Sequence, residues 1–180
     1  TPSSTVAQTG VAVAVDASAN TTGLSITQTQ SAVKDAAAPT LKGAIIFGSG
    51  ADTLDLEAGT ATGTVLFGAG ADVLKIDGGA NLTGAIGDSG GDLAITVNKG
   101  TLQVLNAQTI GITSLNLGAE SSLIVAADPQ NANPSLRVTR FEATTANITT
   151  GAQIGLSLQS LLLDPTKFTV VKAGTLTSGT

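Results

Sequence analysis

The sequence predicts an all-β fold, a parallel β-helix (solenoid) stem over residues 1–100 closed by an antiparallel C-terminal capping module over residues 101–180. Three observations carry that prediction. From Gly43 the chain reads GAIIFGSGADTLDLEAGTAT, then GTVLFGAGADVLKIDGGANLT, then GAIGDSGGDLAITV, so that Phe47 and Phe67, Gly48 and Gly68, Asp52 and Asp72, and Leu54 and Leu74 each recur after 20 residues (67 − 47). Self-similarity at such a period marks units too short to bury their own apolar face, which must stack on copies of themselves. The second observation is composition: 42% of residues are hydrophobic but only 2% aromatic, and 22 are glycine, a mixture suited to many short strands joined by tight turns. The third is that no stretch reads as a long amphipathic helix.

Residues 1–42 alternate polar stretches with short apolar runs, of which Val11–Val15 (VAVAV) and Leu24–Ile26 (LSI) are strand candidates. Asp16–Gly23 between them is turn-like, and Ala36–Pro39 marks a break before the clear repeats. An imperfect pair of N-terminal coils fits this segment.

Within the repeats, Thr53–Leu56 and Val73–Ile76 put Leu54, Leu56, Leu74 and Ile76 on one face of their strands and Asp55 and Lys75 on the other. Residues 20 apart then stack one interstrand spacing apart, about 4.8 Å. Phe47 is expected on Phe67 inside, and Asp55 against Lys75 outside. The same register stacks Asp52 on Asp72 and Glu57 on Asp77, which is unfavourable unless water, backbone amides or a cation intervenes. The third unit is shorter, with Leu93–Ile95 matching Leu74–Ile76 at a spacing of 19 (93 − 74), and the slip is expected at Gly87, Gly90 and Gly91.

After Val97 the period fades into short alternating runs: Thr101–Val104, Ser114–Leu117, Ser122–Val125, Leu136–Val138, Gln153–Leu158 and Lys167–Val171. Turn signals at Gly118–Ser121 and Asp128–Pro134 separate them, which reads as antiparallel meanders. Leu158–Leu163 is the one candidate helical turn, ended by Pro165, and Leu161–Leu163 is expected buried under the cap. A single core is expected from Leu115, Leu117, Leu123, Val125, Leu156, Leu158, Phe168 and Val170.

Composition also excludes several functions. A net charge of −5 with 8 Lys and Arg argues against a nucleic-acid surface. Without cysteine there is neither a disulfide framework nor a thiolate zinc site, and without histidine no conventional Ser-His-Asp system can be assembled. No apolar run approaches the ~20 residues that span a bilayer. The first residues, Thr-Pro-Ser-Ser, have no signal-peptide character, so any such peptide has been removed or lies upstream.

Candidate chemistry is sparse. Gly48–Leu54 and Gly68–Leu74 fit the central part of the calcium-binding nonapeptide G-G-x-G-x-D-x-U-x, but the copies lie 20 rather than 9 apart. Glycines that make a turn and an Asp that caps backbone amides explain the pattern as well. Asp52, Asp55, Glu57, Asp72, Asp77, Asp88 and Asp92 supply carboxylates, yet a glycan-cleaving pair needs an aligned cleft and sugar-stacking aromatics, and Trp and Tyr are absent. No catalytic, cofactor or metal residue is therefore assigned. Asn20, Asn81 and Asn147 head glycosylation sequons that a Thr-rich chain contains by chance.

The run NKGTLQVLNAQTIGITSLNLGAESSLIVAADP from Asn98, with the ending KFTVVKAGTLTSGT, resembles the C-terminal part of bacterial autotransporter passenger domains. The resemblance covers about Gly43 to Thr180. It implies a non-catalytic β-helix stem with an autochaperone-like cap, displaying an upstream domain at the surface of a Gram-negative bacterium. It further implies nucleation of passenger folding during outer-membrane translocation, with the protein's own outer-membrane β-barrel translocator as partner. The alternative from another class is a calcium-stabilised surface-layer or adhesin module.

Overall fold

The structure is a computed structural model and describes residues 12–179. The strand expected at Val11–Val15 starts outside that range, and its described part is β1 (Val13–Asp16). The next elements are β2 (Ser25–Gln28), β3 (Thr40–Lys42), β4 (Ala44–Ile46), β5 (Thr53–Leu56) and β6 (Thr60–Thr62). They are followed by β7 (Val65–Phe67), β8 (Val73–Ile76), β9 (Ala80–Gly84) and β10 (Ile86–Asp88). Longer strands complete the chain: β11 (Ala94–Val104), β12 (Thr109–Ala127), β13 (Arg140–Ile148), β14 (Gln153–Leu158) and β15 (Val171–Ser178). One 3-10 turn, Pro134–Leu136, is capped by the Asn133 side chain.

Consecutive strands do not form hairpins. Each pairs in parallel with the strand one unit further along, as in β2 on β5, β5 on β8, β8 on β11 and β11 on β12. The first sheet has the order β1-β4-β7-β10, and the larger one runs β2-β5-β8-β11-β12-β13-β15, with β3, β6, β9 and β14 joining it through β11 and β12. The fold is all-β, and its parallel sheets curl into a half-barrel.

The 20-residue period becomes rows of side chains, because a parallel ladder sets equivalent residues directly above one another. Leu54, Leu74, Ile95 and Leu115 form one such row, each fully buried, and Leu56, Ile76, Val97 and Leu117 form the next. Phe47 and Phe67 stack inside with ring centroids 5.2 Å apart and planes inclined by 13°. Outside, the Lys75 Nζ lies 3.9 Å from the Asp55 carboxylate, an exposed pair worth at most about 1 kcal/mol. Asp77, next to Glu57 in this register, is relieved by its own turn and by the next unit. The Asn98 amide donates to Asp77 Oδ2, the Gly78 amide to Oδ1, and the Lys99 charge adds to them, which together hold the Asp77 carboxyl below its ordinary range.

Two expectations are corrected. The slip is not at Gly87–Gly91, and Leu93–Ile95 does not stack at a spacing of 19. Ile95 pairs with Leu74 and Val97 with Ile76, a spacing of 21 (95 − 74). The change enters between Ile76, which pairs at 20 with Leu56, and Asn81, which pairs at 21 with Thr60. Gly78 and Gly79 fill that corner with φ of +58° and +84°, and two left-handed residues give the turn room for one more residue without moving the strands.

The larger correction concerns residues 101–180, which are not antiparallel. β12 pairs in parallel with β11, β13 and β14, and β13 with β15; the one antiparallel contact among the described residues is the isolated bridge Ala127–Val138. Gly118–Ser121, read as a turn, lies inside β12, where the Ser121 hydroxyl donates to the Gly118 carbonyl. At that point β12 passes from pairing with β13 to pairing with β14. β13 was not anticipated, and the period had faded because each later unit carries a long excursion, over residues 128–139 and 159–170, that lengthens it to about 31 residues (146 − 115). β11 itself runs unbroken through residue 100.

Burial ends before the chain does. Leu115, Leu117, Leu123 and Val125 are in the core, but Ile154, Leu156 and Leu158 of β14 are 43%, 42% and 52% exposed. Phe168 and Val170 are only half-buried. Leu161–Leu163, expected under a cap and near a helical turn, lie exposed in an irregular stretch just after a bend at residues 159–160. The side chains of β14 stack on the core row Leu123, Val125 and Ala127, but no strand among the described residues covers their other side.

Candidate functional site

Of the seven carboxylates singled out in the sequence, the structure turns two inward and the rest outward. Asp52 and Asp72 share strand parity with Leu54 and Leu74, and both are buried, at 0% and 1% exposure. They lie at the corner leading into β5 and β8. Asp55, Glu57 and Asp77 line an open outer groove with Lys75, Thr96 and Asn98. Asp88 closes its own turn, with Oδ1 accepting from the Gly90 amide and Oδ2 from the Leu93 amide. Asp92 is exposed.

The inward pair is a ladder between units. Asp52 Oδ1 accepts from the Leu24 amide at 2.7 Å, and Asp72 Oδ1 accepts from the Asp52 amide at 2.7 Å. Each carboxylate thus satisfies a backbone donor one rung away, at a corner where the regular ladder does not reach it. This is the amide-capping alternative to the calcium nonapeptide. The second oxygen of each, Asp52 Oδ2 and Asp72 Oδ2, is buried and has no hydrogen-bond partner among the described residues. Among those residues there is also no group of three or more His, Cys, Asp or Glu arranged to hold a metal ion.

The row that contains the pair explains their desolvation. Thr53 pairs with Ser25 and Ala94 with Val73, so the positions one residue earlier align as Leu24, Asp52, Asp72 and Leu93. Two carboxylates sit between two leucines. Burial is the main reason the Asp72 carboxyl is pushed above its ordinary range of 3.8, opposed by the hydrogen bond from the Asp52 amide and reinforced by the charges of Asp52, Asp88 and Asp92.

Two polar residues that sequence reading missed perform related tasks. Asn106 Oδ1 accepts from the Ile86 amide at 3.0 Å while its Nδ2 donates to the Ile86 carbonyl at 2.9 Å, a two-way clamp between units 20 residues apart. Gln28, buried, donates from Nε2 to the Ala58 carbonyl at 2.7 Å. A lone amide between apolar runs was the only available signal. Of the sequon residues, Asn20 and Asn81 bind local backbone, and Asn147 is exposed on β13.

No protein-family model, curated protein or solved structure matches this chain.

Proposed function

We propose that the chain is a non-catalytic structural stem, a parallel β-helix whose task is to hold another domain away from the cell surface that bears it. The observation that carries this reading is the single core. Buried residues from Ile45 to Ala146 form one contiguous apolar cluster through the units from β4 to β13. Such a column bears load along its axis, and its stability is a sum of neighbour terms, so units can be added to lengthen it. The resemblance of Asn98–Pro129 and Lys167–Thr180 to autotransporter passengers supports an extracellular setting, outside the outer membrane of a Gram-negative cell. The absence of cysteine fits a chain threaded unfolded through a translocating barrel. The folding-nucleus role implied by that resemblance belongs on this reading to β12, the longest strand and buried on its inner face, rather than to the exposed β14 and β15.

An antibody raised against residues 12–179 tests the setting. It should label intact cells of the source organism, and brief external protease should remove the label. Labelling that appears only after permeabilisation would overturn the proposal.

A further inference from the structure

We propose that Asp72 holds a proton inside the stack, so that the buried Asp52 and Asp72 together carry a single negative charge and make the stem more stable in mild acid. The geometry asks for such an occupant. Both carboxylates are fully buried, both have one oxygen engaged by a backbone amide, and both have a second oxygen with no partner among the described residues. Two such orphaned oxygens, each on an ion, are a heavy burden in an apolar row. Protonating Asp72 at Oδ2 removes one of the two charges from the row and leaves a neutral carboxyl, which is far less costly to bury than an unpartnered carboxylate oxygen.

The surroundings offer no other neutralisation. The charges that act on Asp72 are those of Asp52 on the preceding unit and of Asp88 and Asp92 on the following one, all negative. Lys75, on the strand that follows Asp72, faces Asp55 on the outer side. Leu24 and Leu93 close the row at either end.

The sign of the pH effect follows. A carboxyl whose folded pKa lies above its unfolded value of 3.8 binds more protons in the folded state, so stability falls as pH rises from that value through the folded one. Asp16 and Asp77 are shifted the other way, by hydrogen bonds from Ser18 and Asn98, and lose their contribution as pH drops. The comparison must therefore isolate the pair.

Carbon-13 NMR of the aspartate carboxyls across a pH titration of the native chain does so. The expected result is one carboxyl signal of the pair titrating above the ordinary aspartate range, with Asp16 and Asp77 titrating below it. Both signals of the pair titrating within or below the ordinary range would overturn the proposal. Thermal melting of Asp72→Asn gives a second arm, since its amide is permanently neutral where the protonated Asp72 carboxyl would sit. Its Tm should exceed that of the parent chain at pH 8 by about 2–4 °C for each factor of five gained in folding equilibrium, and the difference should vanish in mild acid. An equal offset at every pH would count against the proposal. A Tm rise of the parent chain in millimolar calcium, reversed by chelator, would put a cation in place of the proton and overturn it.

Discussion

Replacing Leu74 by Ala should lower the stability of the chain by about 2–5 kcal/mol, the range for emptying a well-packed aliphatic site. Leu74 is fully buried and stands in the row between Leu54 and Ile95, with packed neighbours above and below. Collapse around the cavity is restricted, because the rungs are tied by backbone hydrogen bonds on both sides, such as Val73 N–H to Asp52 O and Ala94 N–H to Asp72 O, each 2.8 Å. The same truncation at Leu156 should change stability by less than about 1 kcal/mol, since that side chain is already 42% exposed and has a neighbour on one side only. Urea melts of the two variants check this directly. Equal losses would mean that the last strands are as well packed as the middle.

Gly68→Ala should be more damaging still, by about 4 kcal/mol or more, a size reached only when a backbone arrangement is broken. A Cβ at Gly68 would stand 1.4 Å from the Gly48 carbonyl oxygen, and one at Gly48 would stand 1.8 Å from the Asn20 carbonyl oxygen. The turns after β7 and β4 therefore lie backbone on backbone, and there is no flexible side chain to give way. Any relief has to lift the turn, and with it the Phe47–Phe67 stack that immediately precedes it. Gly111→Ala is the matched control. Its Cβ would meet no atom within 4 Å, so its stability should stay within about 0.5 kcal/mol of the parent chain.

These glycines also show what was legible in the sequence. Where a unit keeps its period, the 20-residue recurrence of Phe-Gly-x-Gly-Ala-Asp-x-Leu led directly to the aromatic stack, the Asp55–Lys75 pair and the inward leucines, because a parallel ladder turns spacing into contact. The readings failed where the period changed. Gly78 and Gly79 look like any turn glycines, and only the register shows that their corner holds an additional residue. Past Val104, inserted stretches before β13 and β15 hide a repeat that the backbone still follows, so alternating runs with turn signals there resemble an antiparallel module. Local pattern reports that a run is a strand, but partner and direction are set by rows of buried residues far apart in sequence. The carboxylate pair was visible as a like-charge stack. Its burial between Leu24 and Leu93 was not, because the turn residues of each unit read as solvent-facing until the row is assembled.

The central claim is that the chain is one continuous stack, most stable in its middle and fraying toward the last strands. Native-state hydrogen exchange, read amide by amide, tests it most directly. The stack predicts that amides of β5, β8, β11 and β12 exchange slowest and through one common opening, with no step at residue 100, while those of β14 and β15 exchange earliest among the later strands. Amides of β14 and β15 outlasting those of β5 and β8, or two separate levels of protection meeting near residue 100, would contradict it.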